Sequence, residues 1–235
     1  MRSSWETVET KSVFICSTVS HELRTPLAAI YGAAVTLRRQ DVAVEEPQRD
    51  RLLEVISSES DRLARIVNDI LWASRLESGR MSIAIERCDA AAITTEVVDV
   101  LRSRAPEGIE VAVSKARGLP QVAADPDKLR QILTNLIDNA IKYSPDGGSV
   151  EVEIGRSGGR VRLRVTDRGL GIPPAEQDRI FEKFFRLDPN LTRGVGGTGL
   201  GLYISRELVT RMNGRIWVAS DGRTGSSFFL ELPIA

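Results

Sequence analysis

Between residues 16 and 37, apolar or small side chains fall at Cys16, Val19, Leu23, Pro26, Ile30, Ala33 and Leu37, in steps that alternate three and four. That spacing is a heptad seam, and a helix carrying so narrow a stripe needs a partner helix to bury it. A second seam runs through Leu52, Ile56, Leu63, Ile66, Ile70 and Ala73, broken once by Glu59. The polar stretch from Asp41 to Pro47 between them reads as a turn. The spacing therefore predicts an antiparallel helical hairpin. Two narrow stripes bury little by themselves, and two copies forming a four-helix bundle bury more.

The pattern changes near Leu76 to Met81. Beyond it, segments that alternate apolar and polar residues are interleaved with helical ones. Met81 to Ile85 and Ile109 to Val113 read as strands, and Asp89 to Arg104 as a helix. Asp125 to Tyr143 reads as a long amphipathic helix, with Asp125 as its cap and Pro126 just inside. Val150 to Ile154 and Arg160 to Val165 flank Ser157-Gly158-Gly159 as a hairpin. Leu200 to Met212 is helical. Arg215 to Ala219 and Ser227 to Leu232 form a second hairpin. The whole predicts an α+β chain, with the helical hairpin followed by a mostly antiparallel sheet that has helices on one face.

Composition limits the partners. Lys+Arg 32 balances Asp+Glu 32, so no electrostatic footprint for nucleic acid exists. No apolar run is long enough to span a bilayer, which argues against membrane insertion by these residues. Cys16 and Cys88 are too far apart for a metal-binding pair and read as buried reduced thiols.

The sole histidine, His21, lies in Ser20-His21-Glu22-Leu23-Arg24-Thr25-Pro26-Leu27. It falls between Val19 and Leu23, on the face away from the seam. An isolated surface histidine is the plain reading. Against it stand Glu22 next door and Pro26 a turn later, since proline inside a helix costs roughly 3 kcal/mol and opens the preceding turn. Asn135 and Asn139 share one face of a helix that ends in Lys142 and Tyr143. They are either an exposed amide stripe or, with the lysine, a hard-oxygen and phosphate site. Asp167-Arg168-Gly169-Leu170-Gly171-Ile172-Pro173 follows a strand and is either a turn or a carboxylate placed to accept from a purine amino group. Gly194 to Leu202 runs into a helix and is either a flexible loop or an anion site. It lacks the Lys-Ser/Thr pair of a P-loop. Phe181, Phe184 and Phe185 read as a local core, or as the base of a lid from Arg186 to Gly197.

Taken together, in this order, these segments resemble the sensor histidine kinase family of two-component systems. Ser20 to Leu27 is similar to the family's H box and Asp125 to Tyr143 to its N box. Asp167 to Pro173 is similar to its first glycine box, Phe181 to Phe185 to its F box, and Gly197 to Leu202 to its second glycine box. The resemblance implies a dimerisation and histidine-phosphotransfer domain over residues 1–77. Residues 78–235 would form a catalytic ATP-binding domain of the α/β-sandwich type shared by gyrases, heat-shock chaperones and mismatch-repair ATPases.

By the same resemblance ATP and Mg²⁺ are the cofactors, and His21 is phosphorylated and passes its phosphoryl group to an aspartate of a response regulator. Glu22 serves as general base, and Arg24 is a softer candidate partner for phosphoryl oxygens. Thr25 positions water for dephosphorylation of the regulator, and Pro26 supplies a bend. Asn139 is the Mg²⁺ ligand with Asn135 beside it, and Lys142 and Arg193 contact phosphates. Tyr143 packs near the adenine and Asp167 accepts from its amino group. Gly169, Gly171, Gly197, Gly199 and Gly201 make room for nucleotide and lid closure, and Thr198 helps at the phosphates.

Related ATPases carry a glutamate where this chain has Asn135. An amide cannot activate water, which favours transfer over hydrolysis. Two other readings remain: an ATPase on the same fold, and a degenerate adaptor that only docks partners. Asn135 argues against the first; intact His21, Asn139 and Asp167 argue against the second. The expected setting is a cytoplasmic homodimer, or the cytoplasmic portion of a longer membrane-anchored sensor.

Overall fold

The computed structural model describes residues 4–39, 45–187 and 197–235, with side chains from residue 19 onward except that of His21. The chain divides into two compact units, Met1–Ser74 with Gly196–Thr198, and Arg75–Val195 with Gly199–Ala235.

The first unit is built on α1 (Ser4–Arg38) and α2 (Glu46–Glu77). The heptad seams are what the hairpin turns inward. Pro26, Ala33, Ile66 and Ala73 are buried, and Leu23, Ile30, Leu37, Leu52, Ile56, Leu63 and Ile70 are partly buried. Glu59, which breaks the second seam, is also turned partly inward. Helix α1 runs on through Pro26. Pro47, expected in the turn, sits instead in the first turn of α2. Proline suits that position because its missing N–H has no intrahelical partner there. Most of the expected turn, residues 41–44, lies outside the described residues. A second apolar stripe is left on the outside: Leu27, Tyr31 and Val35 on α1, and Leu53, Val67 and Leu71 on α2.

In the second unit a five-stranded sheet has the order β2-β4-β5-β7-β6. Its strands are β2 (Ile109–Lys115), β4 (Gly148–Ser157), β5 (Arg160–Thr166), β6 (Arg215–Ala219) and β7 (Ser227–Pro233). Only β2 and β4 pair in parallel. A short antiparallel pair, β1 (Glu86–Cys88) with β3 (Val122–Ala124), stands apart from it. The expected strand at Met81 to Ile85 is therefore displaced. Alternation alone cannot supply a pairing partner, and the partner β3 meets Glu86 to Cys88, while the Ala84 N–H donates to the Asp125 carboxylate at 3.0 Å.

Three helices supply the layer that buries the inner face of the sheet: α3 (Ala90–Arg102), α4 (Pro126–Lys142) and α5 (Gly201–Arg211). Helix α4 begins as its sequence dictates. Asp125 Oδ1 accepts from the N–H groups of Asp127 and Lys128, and Pro126 follows the cap. Its buried face is Leu129, Ile132, Leu133, Leu136, Ile137 and Ala140, the three-and-four spacing of one helical face. Across from it the sheet contributes Val150, Val152, Val161, Leu163, Val165, Leu230 and Leu232, all essentially inaccessible. Cys88 is buried as a free thiol; the Cys16 side chain lies outside the described residues. No helix among the described residues is long and apolar enough to cross a membrane.

Candidate functional site

Helix α4 ends where β5 ends, so Asn139 and Tyr143 come to face the turn that follows Thr166. Between them lies a cavity of about 180 Å³, lined by Asn139, Tyr143, Asp167, Gly171, Phe185 and Phe228 among others. That volume is well below the 300–1,000 Å³ of sites that enclose a drug-sized ligand, and suits one flat ring system rather than a whole nucleotide.

Asp167 is the buried charge of this cavity, 5% exposed. Its Oδ1 accepts the Gly169 N–H at 2.9 Å and the Ser226 N–H at 3.2 Å. Both bonds end on Oδ1, so Oδ2 is the oxygen left for a ligand donor. Burial pushes this carboxyl above the ordinary carboxylate range, and the two backbone N–H groups oppose the shift. Desolvation therefore weighs more than the two bonds, and the site gains by meeting a neutral N–H donor on Oδ2.

The wall opposite is stapled rather than loose. The Ser220 hydroxyl accepts the N–H groups of Ile172 and Gly222 and donates to the Gly225 carbonyl. The Gln177 carboxamide donates to the carbonyls of Ile172 and Ser220. A Cβ at Gly225 would stand 2.1 Å from the Asp167 carbonyl oxygen, so only glycine lets the β6–β7 connection close on Asp167.

Several other expected residues do not line the cavity. The Asn135 amide donates to Ser205 Oγ of α5 at 3.0 Å. A Cβ at Gly201 would stand 2.2 Å from Asn135 Oδ1, so glycine there admits the protein's own amide. Likewise Gly169 is packed on the Tyr143 carbonyl oxygen and Gly199 on the backbone of Phe184 and Phe185. The Lys142 ammonium lies 5.3 Å from the centroid of the Tyr143 ring. Burial raises the Tyr143 phenol and the Arg186 charge opposes it. Gly197 and Thr198 group with the helical unit. Arg193 and most of the expected lid, residues 188–196, lie outside the described residues.

The phenylalanines serve two purposes. Phe181 is core, packed edge-on to Phe228 at 6.4 Å between centroids, while Phe185 lines the cavity. Sequence reasoning missed Leu170, Ile172, Leu202, Ser226 and Phe228, which also line it. One signal was readable. Ser226, Phe228, Leu230 and Leu232 alternate onto the buried face of the sheet, which puts a serine in a core register.

On the hairpin, the backbone of His21 lies in α1 and its side chain is outside the described residues. Glu22 is 7% exposed, and Arg62 of α2 reaches its carboxylate at 3.5 Å. Arg24 and Thr25 are exposed. No group of three or more His, Cys, Asp or Glu among the described residues could hold a metal ion. The cavity's Asn139 amide oxygen fits Mg²⁺ only as one ligand among phosphate oxygens and water.

Residues 15–79 match the family model of the His Kinase A (phospho-acceptor) domain, and residues 124–235 that of the histidine kinase-, DNA gyrase B-, and HSP90-like ATPase. The circadian input-output histidine kinase CikA of Synechococcus elongatus is 34% identical over 220 residues, which is 92% of this chain and 29% of that protein. Among solved structures, full-length ShkA in complex with AMPPNP matches with a TM-score of 0.69 at 33% identity, over 93% of this chain and 46% of that one. The mycobacterial sensor histidine kinase MprB matches with a TM-score of 0.56 at 31% identity, over 64% of this chain and 98% of that one. The chain spans about a third of the length of the first curated relatives it matches.

Proposed function

The chain belongs to the sensor histidine kinase family, and on that premise we propose that it is the kinase core of a two-component pathway, transferring the γ-phosphoryl group of ATP to His21 and from there to an aspartate of a response regulator. Residues 1–77 act in dimerisation and phosphotransfer, and residues 78–235 bind the nucleotide. The observation that carries the reading is Asp167: a buried carboxylate, held through Oδ1, with Oδ2 left for a ligand in a ring-sized cavity. Adenine offers an amino N–H to that oxygen; guanine offers a carbonyl in its place and is rejected.

In the transfer step a bond forms between an imidazole nitrogen and the γ-phosphorus as the bond to ADP's oxygen breaks. The other imidazole N–H is held by Glu22, which takes up its proton. Asn139 would hold Mg²⁺, with Asn135 beside it, and the ion would neutralise phosphate charge as the leaving group departs. Lys142, Arg193 and Thr198 act at the phosphates, and Tyr143 and Gly171 at the base. Gly169, Gly197, Gly199 and Gly201 allow the close packing that the loops need. Thr25 positions water when the same hairpin dephosphorylates the regulator. The outward stripe of Leu27, Tyr31, Leu53 and Leu71 supports a homodimer. Use of ATP puts the work in the cytoplasm.

Incubation with labelled ATP and Mg²⁺ tests this. The wild type should gain acid-labile, base-stable label and His21→Gln none, while Thr25→Ala labels normally and loses regulator dephosphorylation. Absence of such label, or equal label in His21→Gln, overturns the kinase reading; steady ATP hydrolysis without label would favour the ATPase instead.

A further inference from the structure

The residue that breaks the second heptad seam is part of an ionic layer inside the hairpin. Glu59 occupies the position where the three-and-four spacing calls for an apolar side chain, between Ile56 and Leu63. One turn on, Arg62 reaches Glu59 Oε2 with one terminal nitrogen and Glu22 Oε2 of α1 with the other, both at 3.5 Å. The three are removed from water to different degrees, with 9% of the side-chain surface exposed in Glu22, 25% in Glu59 and 30% in Arg62. Among the described residues, Arg62 of α2 and, through it, Glu59 are charged groups that face Glu22; Arg24 on its own helix is exposed.

Two carboxylates share one guanidinium, so the layer carries a net charge of −1. Without the cation that both of them face, the two carboxylates repel each other and neither is held in place. At 3.5 Å these are ion pairs rather than hydrogen bonds, and a planar guanidinium can present its two ends to two acids at once, as a point-like ammonium does not.

We propose that Arg62 is a positioning residue for histidine phosphorylation: shared with Glu59, it fixes the Glu22 carboxylate in place within the hairpin, where Glu22 serves as base to His21. This rests on Glu22 being the base for His21. Glu59 sets how much of Arg62 is available to Glu22. A heptad position has been given up to this layer, where leucine would pack better.

The test is the single-turnover rate of His21 labelling at saturating ATP, in the whole chain. Arg62→Met should slow labelling about tenfold or more, with KM for ATP unchanged, because nucleotide is bound elsewhere. Adding Glu59→Gln to Arg62→Met removes the competing carboxylate and should restore most of the rate. Dimer mass and melting are measured alongside. An Arg62→Met chain that labels at the wild-type rate overturns the proposal. So does a double variant no faster than the single one, or a rate loss that merely follows the folded fraction, which would make the layer a register device. If the wild type itself does not label His21, the kinase reading fails and this inference falls with it. A labelling wild type with an indifferent Arg62 sinks this inference alone.

Discussion

At the scale of single residues, Asp167 is where stability and function pull apart. Burial raises its carboxyl from the ordinary value of 3.8, so the folded chain holds that proton more tightly than the unfolded one. Stability from this group is thus fully present below the ordinary value and is lost as pH rises through the raised folded value. At neutral pH the ionised carboxylate therefore weakens the empty fold. Asp167→Asn keeps both backbone N–H acceptor bonds on its amide oxygen and sheds the charge. It should abolish ATP binding yet melt above the wild type at about pH 7, with the gap closing as the buffer is acidified towards about pH 4. Calorimetry across that range checks both the sign and the window; a wild type that melts higher at neutral pH contradicts it. The residue itself was singled out only through the family resemblance, because an aspartate at a strand end before a Gly-x-Gly turn reads equally well as a plain turn. Which of its oxygens is spent on the protein was not legible, since one donor, Ser226, comes from 59 residues further on.

At the scale of elements, the long helix was the most legible part of the chain, and its cap shows why. Asp125 Oδ1 closes the first turn of α4, a use that its place before Pro126 announces. Its Oδ2 accepts the Ala84 N–H, a bond to a segment 41 residues earlier that no local pattern contains. Asp125→Ala removes both uses at once. The loss should be about 1–3 kcal/mol in urea unfolding, the lower figure being that of a cap alone. Amide exchange at Ala84 should quicken with it, and a variant with unchanged exchange there would show that the second bond carries no weight. The same non-local bond explains the displaced β1. Met81 to Ile85 alternates as a strand does, but pairing is settled by what lies opposite, and β3 is only three residues long, too short to display a period. The glycines of the loops were legible as special positions and misleading as to cause. At Gly201 the space is taken by Asn135, and at Gly169 by the Tyr143 carbonyl.

At the scale of the whole molecule, the hairpin has more apolar surface than its own two helices consume. Leu27 is 58% exposed and Tyr31 72%, one turn apart on α1. Sequence spacing made one seam visible; the second stripe lay unnoticed because its members are scattered among charged neighbours. If a second copy covers it, Leu27→Glu with Tyr31→Glu should leave a folded monomer that still binds ATP. Light scattering after size exclusion decides it, and a persisting dimer would mean that other residues hold the copies together. The sheet carries a further consequence, for how such a chain is made. Strand β7 follows the other four strands of its sheet in sequence, yet it lies between β5 and β6. A ribosome thus delivers every helix of this unit before the strand that joins the two sides of its sheet. Until Ser226 and Phe228 emerge, Asp167 lacks a donor and the cavity a wall. On the function proposed above, a chain stopped short of β7 cannot hold the adenine ring, so the order of synthesis keeps a half-made domain from taking up nucleotide.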